Sequence, residues 1–395
     1  MSPPRLEAMT WAILWIAFGV FCLLGLGALF LAKEYYVTAT AGQEAEVATV
    51  TGTVLMRSAP VPQWVSIPQE SIIRDGDGIR TNESSQAFIR LFDDSTVHIY
   101  SGTEVKFTKL AISRFGTRRE IIQIDLSYGK LHVGVSPSWN VNKEFLVRSG
   151  GVGVFLGEGS FSLSSNGDSW RVRVGETGVA RVVSGGQETA LGPNQRVEGN
   201  AQGAQGAPQE AWEELVFNGD FALGLQAWQV GRDLGFQEGK DLEGKSQLSL
   251  EDRGPVVTFQ RRGSKGSHAE DYIYQEIDQD VSDLTELKLS LEFKLVHQSL
   301  SGGGYVGSEY PMMVKVRYRS GAAEHMAFWG FYYQNESGNR TDGGAQVNHN
   351  TWLSYTTPEN LMALSPRPEK IISVQVSASG WDYEGKLRRI SLVGK

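Results

Sequence analysis

From Met9 to Ala32 no charged residue appears, and apart from Trp and Cys only Thr10 has a polar side chain. A helix needs about 20 such residues to span a bilayer, so this run is long enough with some tilt. From Val47 onward the pattern changes to short runs in which apolar and polar positions alternate, the period of a strand with two unlike faces. Ala87, Ile89 and Leu91 alternate with Phe88, Arg90 and Phe92. Asp93-Asp94-Ser95 breaks the run, and Val97 and Ile99 then alternate with His98 and Tyr100. Two such runs joined by an acidic turn predict a hairpin or one corner of a stacked coil. The preceding Asp75-Gly76-Asp77-Gly78 is a turn cluster, because Gly supplies positive φ and Asp bonds its own backbone.

The same grammar continues to Gln195. Strands are predicted around Leu126–Val135, Phe145–Ser149, Val152–Val154, Phe161–Leu163, Trp170–Val174 and Val179–Val183, with a hairpin turn at Asn166-Gly167-Asp168. Residues 199–212 begin as GNAQGAQGAPQE, small, polar and without period, and read as a flexible linker between domains. Residues 213–395 form a second β segment with a different accent. In AFWGFYYQN, alternation sends Phe328, Gly330 and Tyr332 to one face and Trp329, Phe331 and Tyr333 to the other. Large apolar groups on both faces require a strand that is covered on both sides or one that exposes a platform. The predicted order is therefore a tail at 1–8, a spanning helix at 9–32, a stalk at 33–46, an all-β domain at 47–198, the linker, and a β-sandwich at 213–395.

Composition narrows the partners. The 395 residues are 41% hydrophobic and 21% charged, with a net charge of −8. Phosphate binding needs clustered Lys and Arg, so nucleic acid is excluded as a partner. The single cysteine, Cys22, rules out an intramolecular disulfide and a Cys-based metal site. A cleaved signal peptide should have an apolar core of about 7–15 residues, shorter than this run. Thr38-Ala39-Thr40-Ala41 offers small residues for late cleavage, and Phe21 replaces the small residue that lipoprotein processing requires before Cys22. The expectation is an uncleaved single-pass anchor in a bacterial cytoplasmic membrane, N-terminus inside, with the bulk of the chain extracytoplasmic.

Two resemblances add to this reading. Gly76, Asp77, Ile79, Thr81, Ala87, Ile89, Leu91, Asp94, Ser95, Val97 and Ile99 match the core of the FecR domain, found in bacterial envelope proteins. Val147, Val152, Val154, Phe161, Val172, Val174, Gly178, Val179, Leu191 and Gln195 continue the match, with Ser149-Gly150 where Thr-Pro is usual. Well-known FecR members are signal regulators whose cytoplasmic helical domain holds a sigma factor. Eight residues before Met9 are too few for a stable helix of that domain, so this role is not expected to carry over. The second segment resembles galactose-binding-like jelly rolls, including many carbohydrate-binding modules. Phe217-Asn218-Gly219-Asp220-Phe221 with Trp228 matches their opening, and Tyr274-Gln275-Glu276-Ile277 an early strand. Trp352, Ile372, Val374 and Val376 match a late strand, and Arg389-Ile390-Ser391-Leu392 the closing one. The resemblance implies two antiparallel sheets packed face to face. It also implies a structural calcium ion held by the opening turn, where Asn218 and Asp220 offer oxygens. Arg389 stands where the closing acidic residue should be, and a guanidinium cannot ligate a hard cation, so the expectation is that the ion is absent and no cofactor is required.

No catalytic constellation is present: there is no G-x-S-x-G elbow, H-E-x-x-H or Walker loop. Exposed aromatics remain as candidate binding groups, since a flat apolar ring with a polar edge suits a sugar or a partner protein. Tyr305 and Tyr310, in the loop SGGGYVGSEYP, lead the candidates, followed by Trp329 and Trp381. The expected function is a non-catalytic, membrane-anchored binding protein for envelope glycan or a partner protein. A scaffold subunit of a larger membrane assembly is the alternative, with a glycan-active enzyme and a FecR-type regulator behind it.

Overall fold

The computed structural model describes residues 4–395 apart from 60, 84, 117, 139–140, 201, 235–243 and 252–253. Two compact units divide between Glu210 and Ala211. The first opens with a helix, Pro4–Thr38, whose stretch Met9–Thr38 is long and apolar enough to cross a membrane. No stalk follows. Thr40–Gly42 pairs antiparallel with Glu104–Ser113, Thr40 opposite Ser113, so the chain leaves the helix directly into the sheet.

The strands of residues 40–210 form one closed sheet. Its FecR-like centre is the expected hairpin: Gln86–Arg90 pairs with Thr96–Ile99, Ala87 opposite Ile99 and Ile89 opposite Val97, with all four side chains buried. Asp94 takes the left-handed turn position at φ 63°, and Asp93 accepts from the Ser95 N–H and hydroxyl. The Asp75–Gly78 turn is a structural lock. Asp77 is buried and its carboxylate accepts from the N–H groups of Ala59 and Arg74, while Asp75 accepts from that of Leu110. These carboxylates tie the turn to the neighbouring backbone, and Asp75 serves the N–H of buried Leu110.

The long strand Arg119–Val135 organises this unit, pairing antiparallel with Glu104–Ser113, Thr96–Ile99 and Val152–Ser165, and parallel with Asn142–Ser149. The parallel neighbour is fixed by Lys143, whose ammonium lies 2.6 Å from Asp93 and 3.9 Å from Glu120 with these three side chains nearly fully buried. It also donates to the Ser136 carbonyl and hydroxyl.

Segment 199–212, expected as a flexible linker, is instead largely built into the first unit. Gly203–Ala204 and Gln209–Glu210 pair back onto Gln195–Asn200. The Trp170 indole lies against Gly199, where a Cβ would come within 2.4 Å of the ring, and donates to the Asn200 carbonyl. Small residues are needed here for close packing, which mimics linker composition.

The second unit is a sandwich of two sheets. One runs, by neighbour, Gly244–Glu251, Gly254–Arg261, Tyr383–Gly394, Leu287–Gln298, Leu353–Thr356. The other runs Gln229–Asp233, Ala269–Asp280, Lys370–Gly380, Met312–Ser320, Ala323–Tyr332, Gly344–Gln346. Leu289, Leu291, Phe293 and Leu295 of the first share a core with Ile273, Val314, Val316, Phe331, Val374 and Val376 of the second. The rings of Phe293 and Phe331 sit 4.4 Å apart across the layer. The opening turn docks on the closing strand, the Ile390 N–H donating to the Gly219 carbonyl, and a Cβ on Gly219 would come within 2.0 Å of the Ile390 oxygen.

Candidate functional site

The second sheet of the sandwich puts its odd-numbered strand residues at 273, 331 and 371 and its even-numbered ones at 314, 316, 374 and 376 into the core, so their neighbours project from the opposite face. Register aligns those neighbours in rows. One row is Gly231, Tyr272, Ser377, Met313 and Gly330; the next is Gln229, Tyr274, Gln375, Lys315 and Phe328. Tyr272 lies across Gly231, where an added Cβ would meet its ring at 2.3 Å. The glycine therefore lets an aromatic ring lie over the edge strand.

Aromatics thus stand on both flanks, Tyr272 and Tyr274 on one and Phe328 and Tyr332 on the other. Between them is a polar centre. Lys315 Nζ donates to both Glu270 carboxylate oxygens, at 2.6 and 2.9 Å, and Gln375 Nε2 donates to Glu270 Oε1 at 2.8 Å. Ser377 lies within this group with its hydroxyl buried and without a hydrogen-bond partner among the described residues. Tyr274 donates to Glu276 at 2.9 Å, and burial together with that bond raises its pKa, so its hydroxyl stays protonated. The aromatics supply faces for stacking, and the amide, ammonium, hydroxyls and carboxylate supply both donors and acceptors.

The opposite outer face of the sandwich is different in kind. There Lys386 pairs with Glu251, Arg262 with Glu384 and Arg388 with Glu292, and Arg388 covers Trp352 at 3.7 Å. Its charges are satisfied by each other, which is the pattern of a solvated surface.

The residues expected from sequence fall in several places. Tyr305 is 77% exposed, and its ring is 5.9 Å from that of half-buried Trp381. The two stand at the loop end of the aromatic sheet, where Trp381 follows the strand ending at Gly380. Tyr310 is not on that platform: it is fully buried. Its ring lies on Gly330 and Gly344, where added Cβ atoms would come within 2.1 and 2.5 Å, and its hydroxyl donates to the Gly307 and Asp342 carbonyls. Burial pushes its pKa up to about 12. Trp329 packs against the core from the inner side of its strand, with Ala327 and Tyr333, so it is a core residue and not part of an exposed platform.

Asn218 and Asp220 serve the opening turn. Asn218 accepts from the Leu223 N–H and donates to the Gly224 and Gln226 carbonyls, and Asp220 accepts from the Ala222 N–H. Arg389 is exposed and stands opposite Glu292 in the sheet. Among the described residues no group of three His, Cys, Asp or Glu side chains is placed to hold a metal.

Glu270, Tyr272, Tyr274, Lys315, Phe328 and Gln375 were not foreseen as a site. Their signal lies in EDYIYQEI and VQVS, where aromatic or polar residues alternate with core residues. That pattern gives each strand's outer face but not which strands lie side by side.

Residues 77–180 match the family described as FecR protein, so the first unit carries a FecR domain. No curated protein matches the chain. Among solved structures, a putative anti-sigma factor from Parabacteroides distasonis ATCC 8503 shares 21% identity over 34% of this chain, at a TM-score of 0.28. The chain spans 59% of that protein's length. The family 11 carbohydrate-binding module of the cellulosomal cellulase Lic26A-Cel5E of Clostridium thermocellum is 13% identical, covering 46% of this chain and 95% of the module, at a TM-score of 0.28. TmCBM61, solved with β-1,4-galactotriose, is 11% identical over 46% of this chain and 97% of the module, at a TM-score of 0.26.

Proposed function

We propose that the chain is a membrane-anchored, non-catalytic glycan-binding protein whose sandwich takes a polysaccharide chain along the aromatic sheet face. The carrying observation is the flanking of the Glu270–Lys315–Gln375 network by Tyr272 and Tyr274 on one side and Phe328 on the other. At a strand spacing of about 4.8 Å, Tyr274 and Phe328 lie about 14 Å apart, a span suited to a run of sugars rather than a single ring. Exposed Tyr305, beside half-buried Trp381, extends the same surface at its loop end. The FecR domain and helix then hold this binding surface at the cytoplasmic membrane on its outer side, with cell-envelope glycan as the ligand class.

The test is native affinity electrophoresis of the full chain in mild detergent through gels containing soluble envelope and plant-type polysaccharides. Retardation by at least one neutral or acidic glycan is the expected result; free migration in every gel overturns the reading. Orientation has its own check. Protease added outside intact spheroplasts should remove everything after the helix, and full protection of both β units would contradict an extracytoplasmic placement.

A further inference from the structure

The helix carries aromatic residues at both ends of its apolar stretch. Trp15 and Tyr35 are 20 positions apart in one helix, about 30 Å at 1.5 Å per residue, the thickness of a bilayer's hydrocarbon core. Tyr and Trp favour the two membrane–water interfaces, so Tyr35 and Tyr36 mark the level of one headgroup layer. The first unit does not stand clear of that level. The tip between Glu104–Ser113 and Arg119–Val135 folds against the helix end: Phe115 stacks on Tyr36 at 5.1 Å and 14° and lies 6.1 Å from Tyr35. The Arg114 N–H donates to the Ala39 carbonyl, and Thr40 pairs with Ser113, so backbone bonds fix this placement.

From these contacts we infer that the tip carrying Arg114, Phe115 and Arg118 is a second membrane contact, in which Phe115 enters the interfacial layer and the two arginines bind the phosphates of anionic phospholipids. Phe115 keeps 42% of its surface exposed even in its aromatic stack. Arg114 is exposed, and Arg118 is 60% exposed while pairing with Glu120 at 3.0 Å. Arg119 is held by Glu144 and contributes less. An apolar ring beside cationic side chains at headgroup depth fits a lipid surface better than a protein groove. The consequence is a β unit held at a fixed angle to the membrane. The inference rests on the helix spanning the bilayer, not on the glycan face.

The experiment uses the full chain in nanodiscs. A fluorophore on native Cys22 reports helix depth through quenching by acyl-chain nitroxides. In a Cys22→Ala background, Arg119→Cys carries the fluorophore beside the tip without removing a proposed phosphate ligand, and Asp168→Cys carries it on a remote turn. Headgroup nitroxides in phosphatidylglycerol discs should quench the tip label at least twofold more than the remote one. Arg114→Glu with Phe115→Ser should remove most of that difference, as should discs of phosphatidylcholine alone for the charge-dependent part. Deep Cys22 quenching with equal quenching at 119 and 168 overturns the tip contact while leaving the anchor intact. Shallow Cys22 quenching overturns both, without bearing on glycan retardation.

Discussion

Tyr310→Ala is expected to destabilise the sandwich unit by about 3–5 kcal/mol, the usual cost of emptying a core of an aromatic ring. For a domain of this size that is a fall in Tm on the order of 10 °C. The cause is specific. The ring fills the space above Gly330 and Gly344, and its hydroxyl serves the carbonyls of Gly307 and Asp342. Tyr310→Phe should cost less, about 1–3 kcal/mol, since it removes only the donor to two buried acceptors. Differential scanning calorimetry of the full chain measures both. An unchanged Tm in Tyr310→Ala together with lost ligand binding would restore Tyr310 as an exposed binding residue and contradict its burial.

Lys143→Ala should damage the FecR unit to a similar degree. Lys143 is the cation beside Asp93, and removing it leaves that buried carboxylate without its countercharge, while Glu120 keeps Arg118. Breaking a buried pair from one side costs about 3–5 kcal/mol, whereas exposed pairs are worth about 0–1 kcal/mol. Arg90→Ala, which breaks the exposed Arg90–Asp94 pair on the same turn, is the matched control and should barely move the transition. Lys143→Ala combined with Asp93→Asn should recover part of the loss. Equal effects from Lys143→Ala and Arg90→Ala would mean that the buried network does not hold the parallel strand in place.

Much of this architecture was legible in the order of residues. Strand alternation shows in sequence because side chains point to opposite faces every residue, and Ala87, Ile89, Val97 and Ile99 could be assigned to one buried face directly. Turn chemistry was equally plain at Asp75–Gly78 and Asp93–Ser95. Tyr310 was misplaced because a tyrosine among glycines in a loop looks exposed. Its burial depends on Gly330 and Gly344, 20 and 34 positions later, supplying a floor without Cβ atoms. Gly199 misled in the same way, since its smallness serves the Trp170 indole and not chain freedom. The aromatic face needed the register: Gly231, Tyr272, Gln375, Lys315 and Phe328 come from five strands and become one surface only when their pairing is known.

The central claim is that this surface, and no other part of the sandwich, holds the glycan. It is tested most directly by isothermal titration of the full chain, with a polysaccharide that retards it, against Tyr272→Ala, Phe328→Ala and the pair together. Stacked aromatics at a binding centre commonly carry about 2 kcal/mol or more, so each single change should weaken binding at least about tenfold. The pair should weaken it about a hundredfold, while Tm moves by no more than a few degrees because both rings are on the outer face. Undiminished affinity in the double variant, with the fold intact, would contradict the account and move the site elsewhere.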